Sequence, residues 1–365
     1  MIGRRQFLAG AGALALAAAR PSAVPAEEDG EASLATRARR KGLSFGTSVS
    51  TAELRLPALR AAVAREADLI VAQNELKWWN TEARRGQPTY GAADAIMNAP
   101  EFEALTRRGH TAVWYRSIPD WAKAEFSAGR GEAATLKRVR DIVAHYRGRI
   151  VEWDVVNEAV WPADGRPDGL RDTPLAAAGG LDLMADCFRA AHEADPDARL
   201  YYNDYAVEYA SPGEDEHRAA ILTFLEAMKR RNVPIHGFGV QGHLTVGNRF
   251  RERVFARFLA DLAALDLKIR ITEMDVSDQR LPADFALRDG KVADHARQFL
   301  DVAFDQPAVV GLVTWGLADP SPWLDAERAR PDRLPQRALP LDRDFARKPL
   351  WTAIARSLDG AAKRG

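Results

Sequence analysis

Short runs of β-branched and aromatic residues recur along the chain, and each is followed by a stretch whose apolar residues return at helical spacing. The β-like runs fall near 43–49, 69–73, 110–115, 150–156, 199–203, 237–243, 268–272 and 309–315. Between them, Leu136, Val139, Val143 and Tyr146 mark one amphipathic face. Ile221, Leu222, Leu225 and Met228 mark a second, and Val254, Phe258, Leu262 and Leu265 a third. Eight alternating β and α units predict an α/β protein, a (β/α)8 TIM barrel closed on itself rather than a doubly wound sheet. The single barrel domain is expected over 41–360, preceded over 27–40 by a linker or a first surface helix, where Glu27, Glu28, Asp29 and Glu31 precede Arg37, Arg39 and Arg40.

The first 26 residues read as a leader rather than as fold. Arg4-Arg5-Gln6-Phe7-Leu8 is a twin-arginine pattern, an Ala- and Gly-rich apolar stretch runs over 8–19, and Val24-Pro25-Ala26 has the small residues of a cleavage site. That order predicts export by the twin-arginine route to the periplasm or beyond. The stretch is too short to span a bilayer, so no membrane partner is expected once it is removed. The chain has 51 basic and 51 acidic residues, a balance that offers nucleic acid no basic face. A single cysteine, Cys187, excludes an intrachain disulfide and sits among apolar residues as a small hydrophobe.

Two motifs point to chemistry that the rest of the chain does not support. Gly237-Phe238-Gly239-Val240-Gln241-Gly242 spells G-x-G-x-x-G, but inside a strand-like run, with no helix amino terminus to receive a pyrophosphate. His192-Glu193 opens like a zinc-protease helix, yet Pro196 stands where the second His is needed. No metal and no organic cofactor is expected.

The carboxylates are more telling. Glu158 closes the run 150–158 and Glu273 closes the run 269–273. Two carboxylates at the carboxyl ends of barrel strands suit glycoside hydrolysis, one protonating the leaving oxygen and the other attacking or activating water. In barrel order the strand ends also deliver Asn74 and Lys77, Trp114 and Tyr115, Asn157, then Asn203, Asp204 and Tyr205, then Gln241 and His243, Asp275 and Trp315. Amide, ammonium, imidazole and aromatic groups on one rim make a pocket for a polyhydroxylated ligand.

Trp153-Asp154-Val155-Val156-Asn157-Glu158-Ala159 and Ile271-Thr272-Glu273-Met274-Asp275 resemble the acid/base and nucleophile blocks of the glycoside hydrolase family 10 xylanases. Gly109-His110-Thr111-Ala112-Val113-Trp114, Asn203-Asp204-Tyr205, Gln241-Gly242-His243-Leu244, Thr314-Trp315-Gly316, Trp323 and Lys348-Pro349-Leu350 match further blocks in the same order. The resemblance implies a monomeric, retaining endo-β-1,4-glycanase, a xylanase in the first instance, acting on a polysaccharide or oligosaccharide. It assigns Glu158 as acid/base and Glu273 as nucleophile. His243 holds Glu273 and is oriented by Asp275, and Asn157 donates to a sugar hydroxyl with Asn203 in support. Gln241 and Tyr205 flank the carboxylates. Asn74, Lys77, Trp315 and Trp323 line the glycone side, with Tyr115 and Trp121 as further sugar contacts. Three departures from the family pattern fall on sugar-contacting positions: Tyr115 for a His, Ser117 for a Gln and Gln73 for a Glu. The aromatic pair usual in the loop after the acid/base strand is also replaced, around Thr173-Pro174-Leu175-Ala176. A glycanase trimming a bacterial exopolysaccharide or cell-surface polysaccharide with a non-xylan repeat is the alternative. A silent glycan-binding barrel is a third reading, opposed by the presence of both glutamates.

Overall fold

The computed structural model describes residues 32–364; the twin-arginine leader and residues 27–31 of the expected linker lie outside the described residues. Nine strands form: β1 (Ser44–Val49), β2 (Leu69–Ala72), β3 (Thr106–Trp114), β4 (Glu152–Asn157), β5 (Arg199–Asp204), β6 (Gly237–Val240), β7 (His243–Thr245), β8 (Lys268–Ser277) and β9 (Val309–Thr314). All pair in parallel. β1 through β6 are sequential neighbours, β6 pairs with β8, β8 with β9, and β9 returns to β1, which closes an eight-stranded barrel. Parallel strands buried on both faces carry continuous apolar runs, and β2, β4 and β6 are buried at every residue.

Each expected β-like run holds a strand, but three boundaries moved. The run at 237–243 divides at Gly242, whose left-handed φ of 76° turns the chain between β6 and β7. That bend suits glycine, which carries no Cβ. β3 begins four residues before the run at 110–115, and β8 extends five residues past 272 because β7 pairs with its far end at Asp275, Val276 and Ser277. Glu273 is therefore inside a strand rather than at its close.

From Ser33 onward the segment takes the helical alternative rather than the linker, though packed on the barrel rather than lying free on its surface. Ser33 caps the helix Leu34–Arg40, accepting a hydrogen bond from the Thr36 amide at 3.2 Å. Leu34, Ala35 and Ala38 are buried, and the helix packs against the carboxyl-terminal helix Pro349–Gly360, with Arg37 paired to Asp359. The charges at Arg37, Arg39 and Arg40 suggested a solvated segment, but the apolar residues between them form one buried stripe. Among the described residues no helix is long and apolar enough to cross a membrane.

Candidate active site

The carboxyl ends of the strands open onto a cleft of about 530 Å³. The local chain geometry aims side chains into it. Gly239 on β6 is required where it stands, because a Cβ there would fall 2.1 Å from the Asn203 amide oxygen. This glycine of the apparent nucleotide motif thus makes room for a buried amide, not for a phosphate. Glu158, one residue past β4, has a φ of 56°, a left-handed conformation in which a side chain other than glycine is strained by about 1–3 kcal/mol. Its amide N–H donates to the Asn203 carbonyl at 2.9 Å, which fixes that turn.

Glu158 is 8% exposed and accepts only from neutral donors: Trp114 Nε1 at 2.8 Å, Gln241 Nε2 at 2.9 Å and Asn157 Nδ2 at 3.1 Å. Burial raises its pKa, the charges of Asp204 and Glu273 add to the rise, and the hydrogen bonds from Gln241 and Trp114 oppose it. A carboxyl group held protonated in this way can donate a proton.

Glu273 is equally buried but stands among an amide and basic side chains. Asn203 Nδ2 donates to its Oε1 at 2.8 Å, His243 Nε2 stands 3.3 Å from Oε2, and His110 Nδ1 lies 3.8 Å from Oε1. Burial alone would raise its pKa, but His110, His243 and Lys77 override that and hold it at about 2. His243 is wedged between two carboxylates, its Nδ1 3.1 Å from Asp275. Neither oxygen donates, so both ring nitrogens need protons. Burial disfavours this imidazolium, but Asp275 and Glu273 raise its pKa to about 10. Trp323 Nε1 donates to the other Asp275 oxygen at 3.0 Å. Lys77 Nζ donates to Asn74 Oδ1 at 2.8 Å, and its burial brings it down to about 8 despite the nearby glutamates.

The two carboxylates are joined by amides. Asn203 Nδ2 reaches both Glu273 and Asn157 Oδ1, each at 2.8 Å, and Asn157 reaches Glu158. The result is one polar circuit carrying one carboxyl group with a raised proton affinity and one with a lowered affinity. Such a pair can protonate one atom and attack or stabilise another.

Of the residues expected from the sequence, Asn74, Lys77, Tyr115, Asn157, Glu158, Tyr205, Gln241, His243, Glu273, Trp315 and Trp323 line the cleft. Asn203 and Asp275, fully buried, support it from behind. Trp121 does not reach it. Its indole N–H donates to the Glu82 carbonyl at 2.7 Å and its ring packs edge-on against buried Trp78. The helix Asp120–Ser127 packs on the flank of the barrel, which carries Trp121 away from the rim.

Tyr115 lines the cleft as expected. An imidazole beside Glu273 comes from His110, held by Asp154 at 3.1 Å and edged by the Trp315 ring at 5.1 Å. Tyr115 lies under the Arg171 guanidinium at 4.8 Å, and Arg171 also donates to the Glu158 carbonyl and the Tyr205 hydroxyl, each at 3.1 Å. Ser117 is buried and donates to the Trp114 carbonyl at 2.9 Å, so it takes no part in the cleft, whereas Gln73 lines it. Sequence reasoning missed His110, Trp79, Arg116, Glu327 and Arg328 as cleft residues. His110 lay within a quoted motif, but a register shift in β3 between His110 and Val113 breaks the alternation that would have placed it. Among the described residues no cluster of three or more His, Cys, Asp or Glu is arranged for a metal.

The sequence model of Glycosyl hydrolase family 10 matches residues 33–357. Endo-1,4-beta-xylanase 1 of Humicola insolens is 32% identical over 80% of this chain, and the chain spans 65% of that relative. Endo-1,4-beta-xylanase A of Phanerodontia chrysosporium is 31% identical over 89% of this chain and 76% of its own length. The crystal structure of native xylanase 10B from Thermotoga maritima superposes with a TM-score of 0.80 at 27% identity, covering 90% of this chain and 98% of that one. A match over nearly the whole described barrel, with the paired glutamates in one cleft, places this chain in glycosyl hydrolase family 10.

Proposed function

We propose that this chain is a retaining endo-β-1,4-xylanase. The observation that carries the reading is a pair of buried carboxyl groups in one cleft joined through Asn203 and Asn157, with Glu158 pushed up by burial and Glu273 held at about 2 by the basic groups around it. Glu158 protonates the glycosidic oxygen as Glu273 attacks the anomeric carbon, giving a covalent glycosyl-enzyme and a free leaving sugar. Esterification removes the Glu273 charge, which is one cause of the raised Glu158 pKa. Glu158, left ionised by the proton transfer, then serves as the base that takes a proton from the incoming water, which attacks the anomeric carbon and displaces Glu273 as its carboxylate. His110, His243 and Asn203 hold Glu273 in place, and Asn157 adjoins both the acid and the amide circuit. The names of the relatives support xylan as the polymer. A glycan with another repeat is the second reading, favoured by Gln73 and Arg116 in the cleft wall.

Hydrolysis of a panel of β-1,4-glycans, with the product anomer read by NMR in the first minutes, tests both parts. Retention with xylan as the best substrate is expected; an inverted first product removes the double displacement, and faster release from another glycan removes xylan. The rate should fall as pH rises through the raised Glu158 pKa, because the acid is then lost. The leader supports action outside the cytoplasm. Replacing Arg4 and Arg5 together by Lys should strand the precursor inside the cell, and normal export of that variant rejects the twin-arginine route.

A further inference from the structure

Arg171 carries a buried charge that stands behind the cleft rather than in it. It lies between β4 and the helix Pro174–Ala194, is 9% exposed, and is not among the cleft-lining residues. Its companions are neutral. Nε donates to the Glu158 carbonyl and Nη2 to the Tyr205 hydroxyl. The guanidinium also sits 4.6 Å from the Trp161 ring centre, 4.8 Å from that of Tyr115 and 5.8 Å from that of Tyr205. A cation withdrawn from water costs more to hold than an apolar side chain of the same size, so its place here calls for a task.

That task lies in the backbone of Glu158. The residue has a left-handed φ of 56°, which an unheld chain would relax. Its N–H donates to the Asn203 carbonyl at 2.9 Å, and its carbonyl accepts from Arg171 at 3.1 Å. Peptide units are rigid planes, so fixing the one before and the one after Glu158 sets the direction of its Cα–Cβ bond. Removing Arg171 frees the second plane, and the carboxyl group swings as the turn relaxes.

Arg171 is itself fixed. Its N–H donates to the Ala159 carbonyl at 2.7 Å and the Trp161 N–H to the Gly169 carbonyl at 3.0 Å, while Val160 and Leu170 form an antiparallel bridge. These bonds close residues 159–171 into a loop resembling a hairpin. Trp161 then stacks on Tyr205, with ring centres 5.5 Å apart and planes 28° from parallel. The closed loop fixes where the side chain starts, and three rings fix where its head rests.

We propose that Arg171, clasped by Tyr115, Trp161 and Tyr205, is a positioning residue that holds Glu158 in line to protonate the glycosidic oxygen. It touches no reacting atom and acts through the Glu158 carbonyl. The proposal rests on the acid/base role given to Glu158 above.

The test compares two substrates, xylotetraose and dinitrophenyl β-xylobioside, in the parent, Arg171→Met and Arg171→Lys. For each, kcat/KM reports the steps up to the glycosyl-enzyme. The dinitrophenolate leaves without a proton, whereas the sugar leaving group needs one from Glu158. Arg171→Met should therefore lose about tenfold to a hundredfold on xylotetraose and less than about threefold on the aryl glycoside. The loss on xylotetraose should fall in kcat with KM nearly unchanged, because Arg171 does not line the cleft. Arg171→Lys keeps the charge and one donor but not the fork that reaches both Glu158 and Tyr205, and should show a smaller split of the same kind. It carries the test if Arg171→Met does not fold. An equal loss on both substrates, or no loss on either, in the variants that fold overturns the positioning role and leaves the glycanase reading intact. A parent that hydrolyses neither substrate overturns both.

Discussion

Glu152 and Glu158 stand at opposite ends of β4, both buried, and they have opposite proton affinities. Glu152 receives two hydrogen bonds from Arg270 at 2.9 Å and one from Arg108 at 2.7 Å inside the barrel. Burial would raise its pKa, but the charges of Arg270 and Arg108 prevail and hold it at about 2. Glu158, at the rim, has amide and indole donors, and burial wins. Removal from water is common to both carboxylates; the charge of the hydrogen-bonding partner decides the protonation state. One end of the strand is thereby a fixed ion cluster, and the other holds a transferable proton.

The sharpest way to break this contrast is at the rim. Glu273→Ala should lower turnover by about 10⁴-fold or more with the circular dichroism spectrum unchanged, since it removes the proposed nucleophile and not the core. With an activated aryl glycoside, Glu158→Ala should still form the covalent intermediate and release it slowly, seen as a single-turnover burst. A burst from the Glu273 variant would reverse the assignments.

At the other end of the strand the damage should be to stability. Glu152→Gln leaves Arg108 and Arg270 short of countercharge and should cost about 3–5 kcal/mol in urea unfolding at pH 7. The sign of the pH dependence follows from the depressed pKa. Stability from ionised Glu152 is fully present above its unfolded value of 4.5 and is lost as pH falls toward about 2. The variant and the parent should therefore converge in stability across that window.

His110→Ala should lower kcat/KM by about tenfold to a hundredfold, the range for losing a buried polar contact of 1–3 kcal/mol to Glu273. Glu158→Gln should raise stability at pH 7 by about 0.5–2 kcal/mol, as replacement of a strained functional group commonly does. A raised carboxyl pKa contributes stability below the unfolded value of 4.5 and loses it as pH rises through the folded pKa. The gain should accordingly fade in acid, which a pair of melting curves at pH 4 and pH 7 would reveal. Tyr115→His should change kcat/KM least, by less than about threefold, because His110 already supplies the imidazole beside Glu273. A tenfold gain from Tyr115→His would show instead that this position limits turnover.

Much of this molecule was determined by the sequence itself. Local alternation of β and helical patterns specifies eight parallel units, and hydrophobic period needs no distant partner to be read. The rim residues followed, since a residue just past a barrel strand must stand at the carboxyl-terminal face, as Asn157, Glu158, Tyr205, Gln241 and Trp315 do. Trp121 failed that logic because it lies on the helix Asp120–Ser127, after the turn, where orientation is set by packing on Trp78 rather than by the strand. The burial of the helix Leu34–Arg40 was hidden for a related reason: its few apolar residues gain burial only against Pro349–Gly360, more than 300 residues away in sequence. Tertiary structure alone decided that His110 stands beside Glu273, because a register shift in β3 has no local signature. It also decided which glutamate holds a proton. Glu152, Glu158 and Glu273 are chemically alike along the chain, and they differ only once folding gives one of them neutral donors and the other two cations.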